Sequence, residues 1–351
     1  MQKIRIALGV RSYDIVVESG LIENLREHIP ANGRKALVTT PIIHELYGEE
    51  LAESLDDYEL ILVPDGEKAK QWSMVEELLG KLLKAGLDRK SKVIAFGGGT
   101  VGDLAGFAAS IYMRGIDVIQ IPTTILAMVD SSIGGKTAVN HPIGKNLVGS
   151  FHQPSKVLID PFLLKTLSER EIRSGLAEVI KYGVISDAQL FGLLESKGPN
   201  ELSKEDKLEI ITRCAAIKAD YVERDEEDRK GIRAALNYGH TVGHAIETLS
   251  KHAMSHGEGV AVGMIVAAWI SKEYELLDES EYLRICNLVE KYGLPSKVPT
   301  LDHSEIIEVM HRDKKADEGQ IRFVLPTGIG KEPILRYVDD QTVRRLLEEI
   351  S

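Results

Sequence analysis

The sequence predicts two domains, an α/β domain over residues 1–165 and a helical domain over residues 166–351. Three observations carry this reading. Before residue 165, short β-branched runs alternate with helical stretches. After it, helical periodicity dominates. Between two of the early elements, a cluster of glycines joins a strand pattern directly to a helix pattern, the junction at which parallel α/β folds hold ligands. A chain of 351 residues is long enough for two domains and a large core.

The elements follow in order. KIRIALG, YDIVVE, KALVTT, YELILVP, KVIAFGGG, DVIQIPTT and KVLIDP read as strands, and their separation by helices indicates a parallel sheet covered on its faces. Beyond residue 165, helices are predicted through EIRSGLAEVIKYGVI, LEIITRCAAIKADYV, the segments around His240 and His256, and EYLRICNLVEKYG. A late strand pair, IRFVLPT and EPILRYV, interrupts them around Gly328 and Gly330. No internal repeat or low-complexity segment is visible. A cleft between the two domains is the expected place for a small-molecule site.

Composition excludes several classes of partner. A net charge of -11 argues against nucleic acid and against a membrane surface, because a phosphate backbone needs a basic face. The two cysteines, Cys214 and Cys286, cannot build a disulfide framework and fit a reducing compartment as small buried hydrophobes. The opening MQKIRIALGV alternates like a strand and lacks the apolar stretch of a signal peptide, so a cytosolic protein is expected. The longest apolar run, Gly259 to Ile270, is too short to cross a bilayer.

The glycine junction is the first chemical signal. KVIAF reads as a buried strand, and Gly97, Gly98, Gly99 and Gly102 follow it before the helical LAGFAASIY. Glycines at such a turn let backbone N–H groups approach a pyrophosphate, which makes the first domain a Rossmann-like nucleotide-binding one. That template seeks an acidic ribose partner about 20 residues on, where Asp117 stands at the head of a strand. A second segment, AMVDSSIGGKTAVNHPIGKNLVGSFHQP, ends its GGKT like a P-loop, but Asp130 occupies the required upstream glycine position. What remains is a loop carrying Lys136, Lys145 and Asn146, suited to an anion other than a nucleoside triphosphate.

The helical domain supplies the second signal. Glu178, His240 and His256 each lie in a polar, glycine-marked segment of an otherwise apolar pattern. Any one alone reads as a surface or satisfied core residue. Two imidazoles and a carboxylate together form a set that leaves a divalent metal an open position. His240 and His244 share a helix face at i and i+4, but no Glu directly follows His240 as a zinc protease requires, so hydrolysis is not indicated.

FGGGTVGDLAGFAAS, MRGIDVIQIPTTILAMVDSSIGGKTAVN, GKNLVGSFHQP, GLAEVIKYG, LNYGHTVGHAIE and HGEGVAVGM together resemble the 3-dehydroquinate synthases, nearly end to end and in order. The resemblance implies a dehydroquinate synthase-like fold, with NAD in the α/β domain and a divalent metal, zinc or cobalt, in an all-α domain. It implies conversion of 3-deoxy-D-arabino-heptulosonate 7-phosphate to 3-dehydroquinate and phosphate in the shikimate pathway, by transient oxidation at C5, phosphate elimination, re-reduction, ring opening and aldol closure. By the same resemblance, Glu178, His240 and His256 are metal ligands. Gly98, Gly99, Asp103, Thr123, Thr124 and Lys145 match cofactor positions, with Glu67 and Lys70 near the adenosine. Asp130, Lys136, Lys181, Asn237 and His244 match catalytic positions. Asn146, Lys218, Arg233 and the pair Lys314 and Lys315 match substrate positions. Arg114 is similar to an arginine that reaches the neighbouring subunit's site in a homodimer.

Two departures stand out. Relatives commonly place Asp or Asn after the second major strand, where Thr40 and Ile42 stand here. The family's DExExGxR segment appears as Asp225 to Arg233 with one extra residue. Three rivals are sibling sugar phosphate cyclases, metal-dependent NAD polyol dehydrogenases and a non-catalytic sensor. The carboxylate-suited Arg233, the phosphate-suited lysines and the intact ligand trio weigh against them in turn.

Overall fold

The computed structural model describes residues 1–251, 253–313 and 320–350. The strands are β1 (Gln2–Ile6), β2 (Tyr13–Val17), β3 (Lys35–Thr39), β4 (Tyr58–Leu62), β5 (Lys92–Gly97), β6 (Asp117–Pro122), β7 (Lys136–His141), β8 (Gly144–Phe151), β9 (Lys156–Ile159), β10 (Gln320–Leu325) and β11 (Ile334–Asp339). The first helices are α1 (Leu25–His28), α2 (Pro41–Ser54), α3 (Trp72–Lys84), α4 (Gly99–Ile111), α5 (Glu169–Ile185) and α6 (Ala188–Ser196). They are followed by α7 (Lys204–Arg224), α8 (His240–Leu249), α9 (His256–Glu273), α10 (Glu279–Lys291), α11 (His303–Asp313) and α12 (Asp340–Ile350). No helix among the described residues is long and apolar enough to cross a membrane.

The chain forms two compact units, Met1–Ser168 with Lys204–Glu227, and Glu169–Ser203 with Asp228–Ser351. Helix α7, which the sequence reading put in the half after residue 165, packs on β1 and β2 and falls in the first unit. Helical periodicity reports the presence of a buried face and is silent about which domain buries it.

The first unit is built on a seven-stranded sheet of order β1-β2-β9-β6-β5-β3-β4, parallel except for the β1–β2 pair. Every residue of β3 and β5 is buried, as expected of strands covered on both faces. The strand order reverses between β3 and β5, so the crevice that α/β folds use for ligands opens at the carboxyl ends of these two strands, beside Thr40 and Gly97. Thr40 caps α2, accepting a hydrogen bond from the Ile43 N–H, with Pro41 at the first helical position. The segment read as a loop carrying Lys136 and Lys145 is instead an antiparallel hairpin of β7 and β8. Lys136-Thr137-Ala138-Val139 alternates outward and inward, and the hairpin finds its cover by packing on α4.

The second unit is helical, with β10 and β11 forming one two-stranded antiparallel sheet. Helix α9 packs against both α5 and α8. Ser255 and Glu258 close a capping box at the start of α9, and Asp278 with Glu281 does the same for α10.

Candidate functional site

In the first unit, the β5–α4 junction forms as predicted from its glycines. Gly98 is the N-cap of α4, and the Thr123 N–H donates to the Gly97 carbonyl at 3.0 Å, which seats the end of β6 beside the turn. A Cβ on Gly98 would lie 3.2 Å from Thr124 Cγ2, one on Gly99 2.9 Å from Ser131 Oγ, and one on Gly102 2.7 Å from the Gln120 amide. The turn is thus closely packed at these three positions, and the N–H groups of the helix N-terminus beside it suit a pyrophosphate. This is a fit for a dinucleotide. Asp117 does not take part: it opens β6 opposite Lys92, at the far end of the strand from Gly97, so it cannot serve the ribose of a molecule held at that turn.

A second cluster of the same unit lies over the first turn of α4. Lys70 Nζ donates to Asp103 Oδ2 at 2.5 Å and to Asn146 Oδ1 at 2.5 Å. The Asn140 side chain donates to Glu67 Oε2 at 2.6 Å, and its Oδ1 accepts from the Asn146 N–H at 3.1 Å. Glu67, Lys70, Asp103 and Asn146 are therefore knitted together through Asn140, a residue that sequence reasoning missed. Burial pushes the Asp103 carboxyl up, against the pull of the Lys70 ammonium. Lys136 and Lys145 are exposed on the hairpin. Asp130 lies in a π-helical turn, Ala127–Ser131, and its Oδ1 accepts from Lys218 Nζ of α7 at 2.5 Å. Arg114 is exposed, with Met113 beside it, both at positive φ (71° and 48°).

The second unit gathers the predicted ligand trio. Glu178 on α5, His240 at the start of α8 and His256 at the start of α9 offer atoms that all lie within 4.8 Å of one another. Glu178 Oε1 is 3.2 Å from His256 Nε2 and 3.4 Å from His240 Nε2. Three donors held tetrahedrally at metal–ligand distances of about 2.1 Å stand about 3.4 Å apart, so the spacing fits a divalent cation with one face open.

For His240 the donor chemistry agrees with the spacing. His240 Nδ1 lies 3.1 Å from the Tyr238 carbonyl oxygen, which can only accept, so Nδ1 carries the hydrogen and Nε2 presents its lone pair to the cluster. Burial pushes His240 well below the ordinary histidine range, the neutral form a metal needs. Burial also pushes His256 down, but hydrogen bonds to Glu178 and Glu247 outweigh it and take the group up to about 9. Lys181, one helical turn along α5, is fully buried and pairs with Glu178 Oε2. His244 stacks edge-on against His240 with centroids 5.2 Å apart. Arg233 is buried in the turn 232–237, which ends at Asn237 and packs on α5. Lys314 and Lys315 lie outside the described residues.

Two features of this unit escaped the sequence reading. Glu247 falls three residues after His244 and seven after His240, a spacing that keeps all three on one face of α8 and could have flagged it. The glycines marking the histidine segments are packing contacts: a Cβ on Gly243 would lie 2.9 Å from the Gly259 carbonyl carbon, and one on Gly239 2.6 Å from the Val260 oxygen. Gly239, at φ +82°, also makes the left-handed turn that starts α8 at His240.

Comparison with known proteins places this geometry. Residues 60–174 match the family 3-dehydroquinate synthase N-terminal, and residues 175–316 match 3-dehydroquinate synthase C-terminal. A 3-dehydroquinate synthase from Thermodesulfovibrio yellowstonii is 45% identical over 360 aligned residues, covering 99% of this chain and 100% of that one. Among solved structures, a 2-deoxy-scyllo-inosose synthase complexed with carbaglucose-6-phosphate, NAD+ and Co2+ superposes with a TM-score of 0.90 at 28% identity, covering 100% of both chains. A 2-epi-5-epi-valiolone synthase from Streptomyces hygroscopicus subsp. jinggangensis, with NAD+ and Zn2+ bound, superposes at 0.89 with 29% identity over 96% of each chain.

Proposed function

The chain belongs to the 3-dehydroquinate synthase family, and we propose from that premise that it converts 3-deoxy-D-arabino-heptulosonate 7-phosphate to 3-dehydroquinate and phosphate. The observation that carries the reading is the full-length match at 45% identity, well above the 28% and 29% shared with the two sibling cyclases. Under this reading the enzyme is a phosphate-eliminating carbon–oxygen lyase, working in the cytosol as a homodimer in which Arg114 serves the partner subunit.

Glu178, His240 and His256 would hold the divalent metal, zinc or cobalt. Gly98, Gly99, Asp103, Thr123, Thr124 and Lys145 would hold NAD, with Glu67 and Lys70 towards its adenosine and Thr40 and Ile42 where Asp or Asn is common at that end. When bound, NAD supplies a reversible hydride acceptor for the C5 hydroxyl, and the metal supplies Lewis acidity to the C4 and C5 oxygens.

The remaining roles fall to the chain's own side chains. A ketone at C5 makes the C6 proton acidic, so that the C6 carbanion can expel the phosphate from C7. An oxygen of the departing phosphate can take that proton itself, which leaves the protein to hold the conformer in which the two meet. Lys136, Asn146 and Lys181 would hold the phosphate with point charges and an amide donor, while Arg233 suits the carboxylate through its planar fork. Asp130, Lys218, Asn237 and the Lys314 and Lys315 pair would fix the remaining oxygens. His244, one turn from His240 on the same face of α8, would move the proton of the C5 hydroxyl.

The test is phosphate release from the heptulosonate 7-phosphate by zinc-loaded or cobalt-loaded protein with substoichiometric NAD, while NADH absorbance is followed. Many turnovers per NAD without NADH accumulation are expected, and Glu178→Ala should lower kcat by about 10³ or more, the loss of one metal-held charge centre. Accumulating NADH from a polyol would move the chain to the dehydrogenases. Release confined to sugar phosphates without a carboxylate would move it to the sibling cyclases.

A further inference from the structure

The two imidazoles of the ligand trio are supported differently. Each turns Nε2 towards Glu178 Oε1, and each has its Nδ1 occupied by an acceptor from the protein. For His240 that acceptor is a neutral backbone carbonyl, Tyr238 at 3.1 Å. For His256 it is a carboxylate, Glu247 Oε2 at 3.3 Å.

We propose that Glu247 is a positioning residue for the metal site: it fixes the tautomer and ring orientation of His256 and makes that imidazole the stronger donor of the two. The proposal rests on the metal-holding role of the trio. Glu247 cannot itself be a fourth ligand through this contact, because it meets the ring at Nδ1 and a cation shared with Glu178 would sit at Nε2, on the other side of the ring. A carboxylate that accepts the Nδ1 hydrogen leaves the Nε2 lone pair free and raises its basicity.

The surroundings make the arrangement specific. His256 opens α9 and is 28% exposed at its side chain, against 11% for His240, so its ring has more room to turn. The backbone at His256 is held from three directions: Ser255 and Glu258 close the capping box, Arg170 of α5 donates to Glu258 Oε2 at 2.9 Å, and the Gly257 N–H donates to Ser174 Oγ at 3.0 Å. These contacts fix where the Cα sits, yet none of them touches the imidazole. Glu247 does.

The experiment uses full-length protein stripped of metal and titrated with Co2+ against a chromophoric chelator, with thermal unfolding of the metal-free forms measured alongside. Glu247→Gln keeps an acceptor oxygen but loses the charge, and its Co2+ affinity should fall about tenfold; Glu247→Ala removes both, and its affinity should fall about 100-fold. The metal-free variants should unfold with the wild type, and the graded order, alanine below glutamine below wild type, is what a purely structural role would not produce. Equal Co2+ affinity in all three overturns the proposal, as does a loss of affinity matched by a loss of metal-free stability. Absence of tight Co2+ binding in the wild type would instead break the metal-site reading itself and this proposal with it.

Discussion

Two regions of this molecule are rich in glycine, and they use it in different ways. At the β5–α4 junction of the first unit, a Cβ on Gly98, Gly99 or Gly102 would meet the ends of side chains: Thr124, Ser131 and Gln120. Around α8 and α9 of the second unit, a Cβ on Gly239, Gly257, Gly259 or Gly263 would meet backbone: Val260, Ser174, Gly243 and Gly239. A side chain can rotate out of the way and a backbone carbonyl cannot. The first set therefore shapes a turn with some give, as suits a backbone that must admit a large cofactor. The second set lets helices touch main chain to main chain, and this contact is what brings His240 and His256 to a centroid distance of 5.3 Å. The spacing of the candidate ligands is thus set by glycines that are not themselves ligands.

The sharpest way to break this comparison is Gly263→Ala, whose methyl would fall inside the van der Waals radius of the Gly239 carbonyl oxygen. Separating α8 from α9 should cost about 3 kcal/mol or more and abolish Co2+ binding, seen as a lower unfolding midpoint and a flat metal titration. Gly257→Ala comes next. Its methyl would press on the Ser174 backbone and displace the start of α9, so Co2+ affinity should fall at least tenfold while stability falls by about 1–3 kcal/mol. Gly99→Ala should have the smallest effect on stability, within about 1 kcal/mol, since only Ser131 Oγ must turn aside. Ser131 Oγ is buried with no hydrogen-bond partner among the described residues, so adding Ser131→Ala should restore the midpoint, with NAD affinity still reduced in a fluorescence titration. If Gly99→Ala proved as damaging as Gly263→Ala, the distinction between yielding and rigid neighbours would fail.

Much of this was legible in the amino-acid sequence. The seven strands of the main sheet show as β-branched runs because both faces of strands such as β3 and β5 are covered, which leaves no polar alternation to confuse the reading. The β7–β8 hairpin was not legible, since its strand carries lysines, glycines and asparagines that read as loop until α4 supplies a surface for Val139 and Thr137 to pack on. Asp117 satisfied a spacing rule and failed a geometric one. It stands at the head of β6, the amino end, whereas Gly97 lies level with Pro122 at the carboxyl end, where the parallel sheet holds ligands.

The seven strands of the main sheet and the glycine junction after β5 were determined by the sequence alone, because each depends on residues within a few positions of one another. Only the tertiary structure decided that α7 joins the first unit, that Lys70 is shared between Asp103 and Asn146, and that Glu247 stands behind His256. Those contacts join residues 9 to 76 positions apart or set a whole helix against a sheet. They exist only where packed backbones hold the partners within hydrogen-bond reach, and in the second unit glycine sets that distance.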